Sequence, residues 1–139
     1  MEKGILITFE GPEGSGKTSQ LYEFSSWLLG AVGLEAIIFR EPGSSQIGER
    51  VRAILMDRTI RGMNARTEAL LFCAARAQMV AEQMMPRLLH NKDIVLCDRF
   101  TDSTLAYQGY GRGLDLDLLR PLLEFCTFGI KPDLTIYLD

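Results

Sequence analysis

The sequence predicts an α/β fold, a parallel sheet flanked by helices. Three observations carry this. Four short, β-branched apolar runs recur along the chain, at residues 5–9, 36–39, 94–97 and 134–138. They are nearly continuous rather than alternating, as strands covered on both faces are. Helical patterns separate them, and alternating strands and helices imply right-handed crossovers between parallel strands.

The elements follow in order. After the first run, Leu21, Phe24, Leu28, Leu29 and Val32 mark one face of a helix over residues 18–32. Ile47, Val51, Ile54 and Leu55 mark a second helix, after Gly43-Ser44-Ser45. A long helix is predicted from Thr67, with Asn64 or Arg66 near its start, towards Leu89. Pro86 should kink or divide it, because proline lacks an N–H and clashes with the preceding turn. Asp115 is placed to cap a helix carrying Leu116, Leu119, Leu122 and Leu123.

At 139 residues, 47% hydrophobic and 24% charged, the chain fits a single globular domain. Its formal charge of −3 argues against broad nucleic-acid or anionic-membrane binding. No apolar run approaches the roughly 18 residues of a membrane span, and the first ends too soon for a signal peptide's core. Cys73, Cys97 and Cys126 are widely spaced in apolar stretches, and His90 is the single histidine. A Cys/His zinc site is therefore not expected; buried, reduced thiols in a cytoplasmic protein are. Eleven of the 15 basic side chains are Arg, the residue that matches phosphates with a planar fork of donors.

Residues Gly11-Pro12-Glu13-Gly14-Ser15-Gly16-Lys17-Thr18 match G-x-x-x-x-G-K-[ST] at every fixed position, between a strand and a helix. Glycines let backbone N–H groups turn inward around an anion, and the helix N-terminus adds partial positive charge. Lys17 can reach the outer phosphates of a nucleoside triphosphate, and the Thr18 hydroxyl can ligate Mg²⁺. Ligands of open parallel sheets bind beyond the carboxyl ends of the strands. There the second strand delivers Arg40-Glu41-Pro42-Gly43 and the third Asp98-Arg99. Asp98 can hold Mg²⁺ directly or through water, and Arg99 can pair with a phosphate. Phe72 and Arg76 share a helix face, as do Ser103 with Tyr107 and Thr104 with Gln108. Spacing alone favours a core Phe72 and an Arg76 reaching solvent. Gly109-Tyr-Gly-Arg-Gly113 follows no strand and reads as a flexible loop, not a dinucleotide site. His90 suits a helix C-terminus, and Met79, Met84 and Met85 suit a core or an interface.

Taken together, residues 9–18, Arg40 to Gly43, Leu71-Phe72 through Arg76, Asp98-Arg99-Phe100 and residues 103–109 resemble the thymidylate kinases, of the P-loop nucleoside monophosphate kinase type. The resemblance covers nearly the whole chain. It implies phosphoryl transfer from ATP to dTMP, with Mg²⁺, giving ADP and dTDP. It places Lys17, Asp98 and Arg99 in catalysis and residues 11–18 around ATP. Glu13 would approach the 3′-hydroxyl of dTMP. Arg52 and Arg99 would hold the acceptor phosphate, with Arg40 and Pro42 nearby. Phe72 would stack on thymine and Arg76 would bond its carbonyl. Ser103, Thr104 and Gln108 would line the base and sugar pocket, and Tyr107 would crowd the ribose 2′ position. Ser44 stands where the family often has a second glycine, and Phe100 where Tyr is common.

Pro12 to Ser15 contain no Arg. In the bacterial-type members that this resembles, a lid after the fourth strand supplies it. The resemblance thus implies an N-terminal portion of the domain, with the lid and C-terminal helices not included, and a homodimer for the full-length protein. A non-catalytic nucleotide-binding module and a kinase of another nucleoside monophosphate are the alternatives.

Overall fold

The computed structural model describes residues 3–139. Its four strands are β1 (Ile5–Glu10), β2 (Ala36–Arg40), β3 (Ile94–Asp98) and β4 (Leu134–Tyr137), all parallel in the order β2-β3-β1-β4. Each apolar run of the sequence forms a strand. The register pairs Phe9 and Arg40 with Asp98, so the functional strand ends lie side by side. The central strands β1 and β3 are covered on both faces, with Leu6, Val95, Leu96 and Cys97 fully buried. At the edge, β4 departs from the expectation. Leu134 and Tyr137 are exposed, and among the described residues β4 pairs with β1 alone. Asp133 joins this edge to β1 by accepting from the Leu6 N–H at 2.9 Å and pairing with Lys3 at 2.8 Å. Although partial burial works against its charge, these two partners hold its carboxyl below the ordinary value.

Helix α1 (Lys17–Trp27) buries Leu21, and a wider π-helical turn, Leu28–Val32, follows. Leu28 stays buried there, but Leu29 and Val32 are exposed, contrary to the predicted stripe. A π turn bonds i to i+5, so a 3.6-residue period no longer tracks one face. Helix α2 (Gln46–Met56) starts at Ser45, whose Oγ accepts from the Gly48 N–H at 2.9 Å. Helix α3 (Ala65–Met79) is capped by Asn64, whose side chain accepts from the Arg66 N–H at 2.9 Å. It continues as two π-helical stretches, Val80–Met84 and Pro86–Asn91, joined through helical Met85, so the chain stays helical at Pro86 rather than dividing there. His90 lies in the last turn. Met79, Val80, Met84 and Leu88 pack on Leu6, Val95, Cys97 and Phe100 in the largest core cluster.

After β3, α4 (Thr101–Thr104) passes into a π-helical segment, Leu105–Gly111. The expected flexible loop at Gly109–Gly113 is therefore helical through Gly111. Helix α5 (Leu116–Cys126) starts at Asp115, which accepts from the Asp117 N–H at 2.8 Å. Cys73 and Cys126 meet between α3 and α5 beside Leu123, and all three cysteines are free and buried. Among the described residues, no helix is long and apolar enough to cross a membrane.

Candidate active site

A cleft of about 1020 Å³ opens at the carboxyl ends of β1, β2 and β3. One end is the glycine-rich turn. Gly11 has φ +148°, and a Cβ there would meet the Leu138 carbonyl oxygen at 2.1 Å, so only glycine fits. Gly16, at φ +88°, turns the chain into α1. Buried Lys17 donates from Nζ to the Pro12 carbonyl at 2.6 Å, which folds the turn over its own ammonium. Thr18 donates from Oγ1 to Asp98 Oδ2 at 2.5 Å. This juxtaposes the last residues of the turn and the end of β3, 80 positions apart in the chain. Glu13, Gly14, Gly16, Lys17 and Thr18 line the cleft, whereas Gly11, Pro12 and Ser15 do not.

The donor set at Thr18 and Asp98 fits Mg²⁺. Both atoms are hard oxygens, and Mg²⁺ is usually held by one or two protein oxygens together with substrate phosphates and water. Among the described residues, no cluster of three or more His, Cys, Asp or Glu side chains forms an all-protein cage.

The chain leaves β3 through Arg99, whose φ of +72° turns it sharply back. Its N–H donates to the Phe9 carbonyl at 3.0 Å, which secures that turn against β1. The guanidinium reaches Glu13 at 2.6 Å, the Gly11 carbonyl at 3.3 Å and Ser103 Oγ at 3.2 Å. It also lies 5.3 Å from the Tyr107 ring centroid and donates to the Tyr107 hydroxyl at 3.5 Å. Ser103 and Tyr107 therefore share one face, as their spacing predicted. Arg52 donates to the Pro42 carbonyl at 3.0 Å, and exposed Arg40 lies 3.5 Å from Glu49. All three arginines border the cleft.

At the other end, Phe72 and Arg76 both line the cleft. Phe72 is half-buried rather than core. Arg76 does not reach solvent; it is 2% exposed. Its Nε donates to both Glu41 oxygens at 2.8 Å, and its Nη2 donates to Glu41 at 2.5 Å and to the Phe100 carbonyl at 3.1 Å. Its Nη1 donates to Thr104 at 3.1 Å, and its guanidinium lies 5.4 Å from the Phe100 ring centroid. Burial pushes the Glu41 carboxyl up, opposed by the Arg76 charge. Thr104 and Gln108 are both buried at this end, and Gln108 donates to Glu68 at 2.9 Å.

Four carboxyl and guanidinium groups were missed. Glu10 is 4% exposed and accepts from the Phe100 N–H at 2.7 Å and from the Ser103 hydroxyl. Burial pushes its carboxyl up, against the lowering effect of those bonds. Glu41 is the buried counter-ion of Arg76, and Glu68 and Arg112 line the cleft. Glu10 and Glu41 end apolar strands, the same signal that marked Asp98. Glu68 lies on the helix face of Phe72 and Arg76, at i−4 and i−8, where periodicity could have found it.

The two departures from the family pattern have local causes. Ser44 has φ +62°, a conformation that favours glycine. Its hydroxyl offsets this by accepting from the Arg40 N–H at 2.9 Å and lying 3.0 Å from the Arg40 carbonyl. Phe100, 1% exposed, packs its ring against the Arg76 guanidinium.

Comparison with known proteins accords with this geometry. The family model "Thymidylate kinase" matches residues 9–139. The chain belongs to the thymidylate kinase family. It is 49% identical over 135 residues to a thymidylate kinase of Pelodictyon phaeoclathratiforme, covering 97% of this chain and 61% of that protein. It is 47% identical over 137 residues to a thymidylate kinase of Lactobacillus delbrueckii subsp. bulgaricus, covering 99% and 64%. The chain thus spans about three fifths of the length of these relatives. A crystal structure of the Ehrlichia chaffeensis thymidylate kinase superimposes with a TM-score of 0.89 at 39% identity, covering 98% of this chain and 71% of that one. The four-stranded parallel sheet flanked by helices is the fold of this thymidylate kinase family member.

Proposed function

We propose that the protein transfers the terminal phosphoryl group of ATP to dTMP, giving ADP and dTDP. The observation that carries this reading is the single cleft. Lys17, Thr18 and Arg99 line it beside the glycine-rich turn, where Arg99 bonds Glu13 and the Gly11 carbonyl, and Phe72 and Arg76 line it from α3. Transfer between two anions needs positioning and charge neutralisation more than covalent chemistry.

The backbone N–H groups of Glu13 to Thr18 and the Lys17 ammonium hold the donor phosphates. Thr18 and Asp98 would hold Mg²⁺, which would supply neutralisation of phosphate charge. Arg99 and Arg52 hold the acceptor phosphate, with Arg40 beside them. Glu13 is 89% exposed, so it can release Arg99 to that phosphate and turn to the sugar 3′-hydroxyl. Phe72 stacks on thymine, Arg76 donates to its carbonyl, and Ser103, Thr104 and Gln108 line the base and sugar. Tyr107, held against Arg99, crowds the 2′ position and selects deoxyribose.

The test is dTMP-dependent ADP formation by the full-length protein supplied with ATP and Mg²⁺. ADP release that rises with dTMP is the expected result, and release indifferent to dTMP overturns the reading. On the same reading the protein is a cytoplasmic homodimer. The exposed Leu118 and Phe125 of α5 support a covered face, and sedimentation equilibrium checks the dimer.

A further inference from the structure

We infer that Glu68 is a positioning residue that sets which way the Gln108 amide faces, and through it selects thymine over cytosine. This inference rests on the proposed dTMP reading and adds to it a residue that decides base identity.

A primary amide presents a C=O and an N–H that exchange places when the group flips. In one orientation its edge complements the adjacent C=O and N–H of thymine. Flipped, it complements the amino group and bare ring nitrogen of cytosine. Recognition by Gln108 alone is therefore ambiguous, and some other group must remove the ambiguity.

Glu68 has the chemistry to do so. An ionised carboxylate only accepts, so it can face Nε2 of Gln108 but not Oε1. The observed bond is Gln108 Nε2 to Glu68 Oε1 at 2.9 Å. Glu68 is itself held in place. Arg112 Nε lies 3.8 Å from the same Oε1, and Arg112 Nη2 donates to the Met63 carbonyl at 2.7 Å. Gln108 is 4% exposed and lines the cleft, so its free rotation is already restricted. Among the described residues, no side chain or backbone group donates to Gln108 Oε1, and it is not a buried orphan. That oxygen and the second Nε2 hydrogen are left for a ligand. Thr104, one turn away, holds Arg76 Nη1 at the same end of the cleft.

The experiment titrates dTMP and dCMP into the full-length wild type, Glu68→Gln, Gln108→Ala and the double variant. Glu68→Gln keeps shape and removes only the acceptor-only character, so the amide is free to face either way. The wild type should prefer dTMP. In Glu68→Gln, dTMP affinity should fall by about tenfold, the worth of one hydrogen bond, while dCMP affinity holds or rises. In the Gln108→Ala background, Glu68→Gln should change the dTMP to dCMP ratio no further. A folded Glu68→Gln with the wild-type ratio overturns the role of Glu68 and leaves the dTMP reading standing. An additional loss in the double variant also overturns it, since Glu68 would then act without Gln108. A wild type that binds neither nucleotide overturns both. If Glu68→Gln does not fold, Glu68→Ala gives the same contrast by removing the acceptor, and an unchanged ratio there overturns the role of Glu68.

Discussion

Two arginines serve the two ends of the cleft, and the protein holds them differently. Arg76 is 2% exposed and bonded to a carboxylate that is itself 4% exposed. Arg99 is 16% exposed, and its carboxylate partner Glu13 is 89% exposed. The first pair is locked by Thr104 and the Phe100 carbonyl and cannot exchange partners cheaply. The second can trade Glu13 for a phosphate with little desolvation cost. On the proposed reading, the rigid Arg76 end is the base end, where a misplaced donor would lose selectivity. The exchangeable Arg99 end is, on the same reading, the phosphate end, where charge must be met as it arrives. Both pairs are Arg with Glu, so the difference comes from burial and from the fork and added bonds that fix Arg76.

The strongest way to break this comparison is at the buried pair. Glu41→Ala leaves the Arg76 charge buried without its partner and should destabilise the fold by about 3–5 kcal/mol. Denaturant unfolding measures it. A loss under about 1 kcal/mol would mean that the pair is no more locked than Arg99 with Glu13.

At the phosphate end the effect should appear in turnover instead. Lys17→Ala should lower turnover by about a hundredfold or more, with the melting midpoint little changed. Steady-state kinetics and a thermal melt of the same sample separate the two. Turnover at the wild-type level would remove Lys17 from the transfer.

The buried Glu10 carboxyl, bonded to Phe100 and Ser103, offers a pH test. Burial raises the Glu10 carboxyl above its ordinary value of 4.5. Between that value and the raised one, the folded state holds more protons than the unfolded state. Stability should therefore fall as pH rises through this window, and burial of Glu41 adds in the same direction. Glu10→Gln should flatten the slope in urea titrations at several pH values. A wild type that gains stability with pH across the window would contradict the assignment.

The smallest expected effect belongs to the exposed pair. Glu13→Gln should change stability by less than about 1 kcal/mol, and salt should screen what remains. A large loss would show that the phosphate end is as rigid as the base end.

The sequence made the sheet legible because each strand is a compact apolar run. The glycine-rich turn was equally plain, since its fixed positions lie together in the chain. What sequence reading missed was partnership. Arg76 was expected to reach solvent on spacing alone, because its counter-ion Glu41 is 35 positions away. Glu10 meets Phe100 and Ser103 across 90 and 93 positions. Such pairs depend on which strand ends lie side by side, and that emerges only with the order β2-β3-β1-β4. The faces of Leu29 and Val32 failed for a local reason, the widening of α1 into a π turn.

The most direct test of two distinct ends in one cleft is a pair of titrations on Phe72→Ala, with dTMP and ATP added separately. Base stacking on an aromatic side chain contributes about 1–3 kcal/mol. The account predicts that dTMP affinity falls by roughly tenfold or more while ATP affinity stays within error of the wild type. Equal losses for both nucleotides, or an unchanged dTMP affinity, would contradict it.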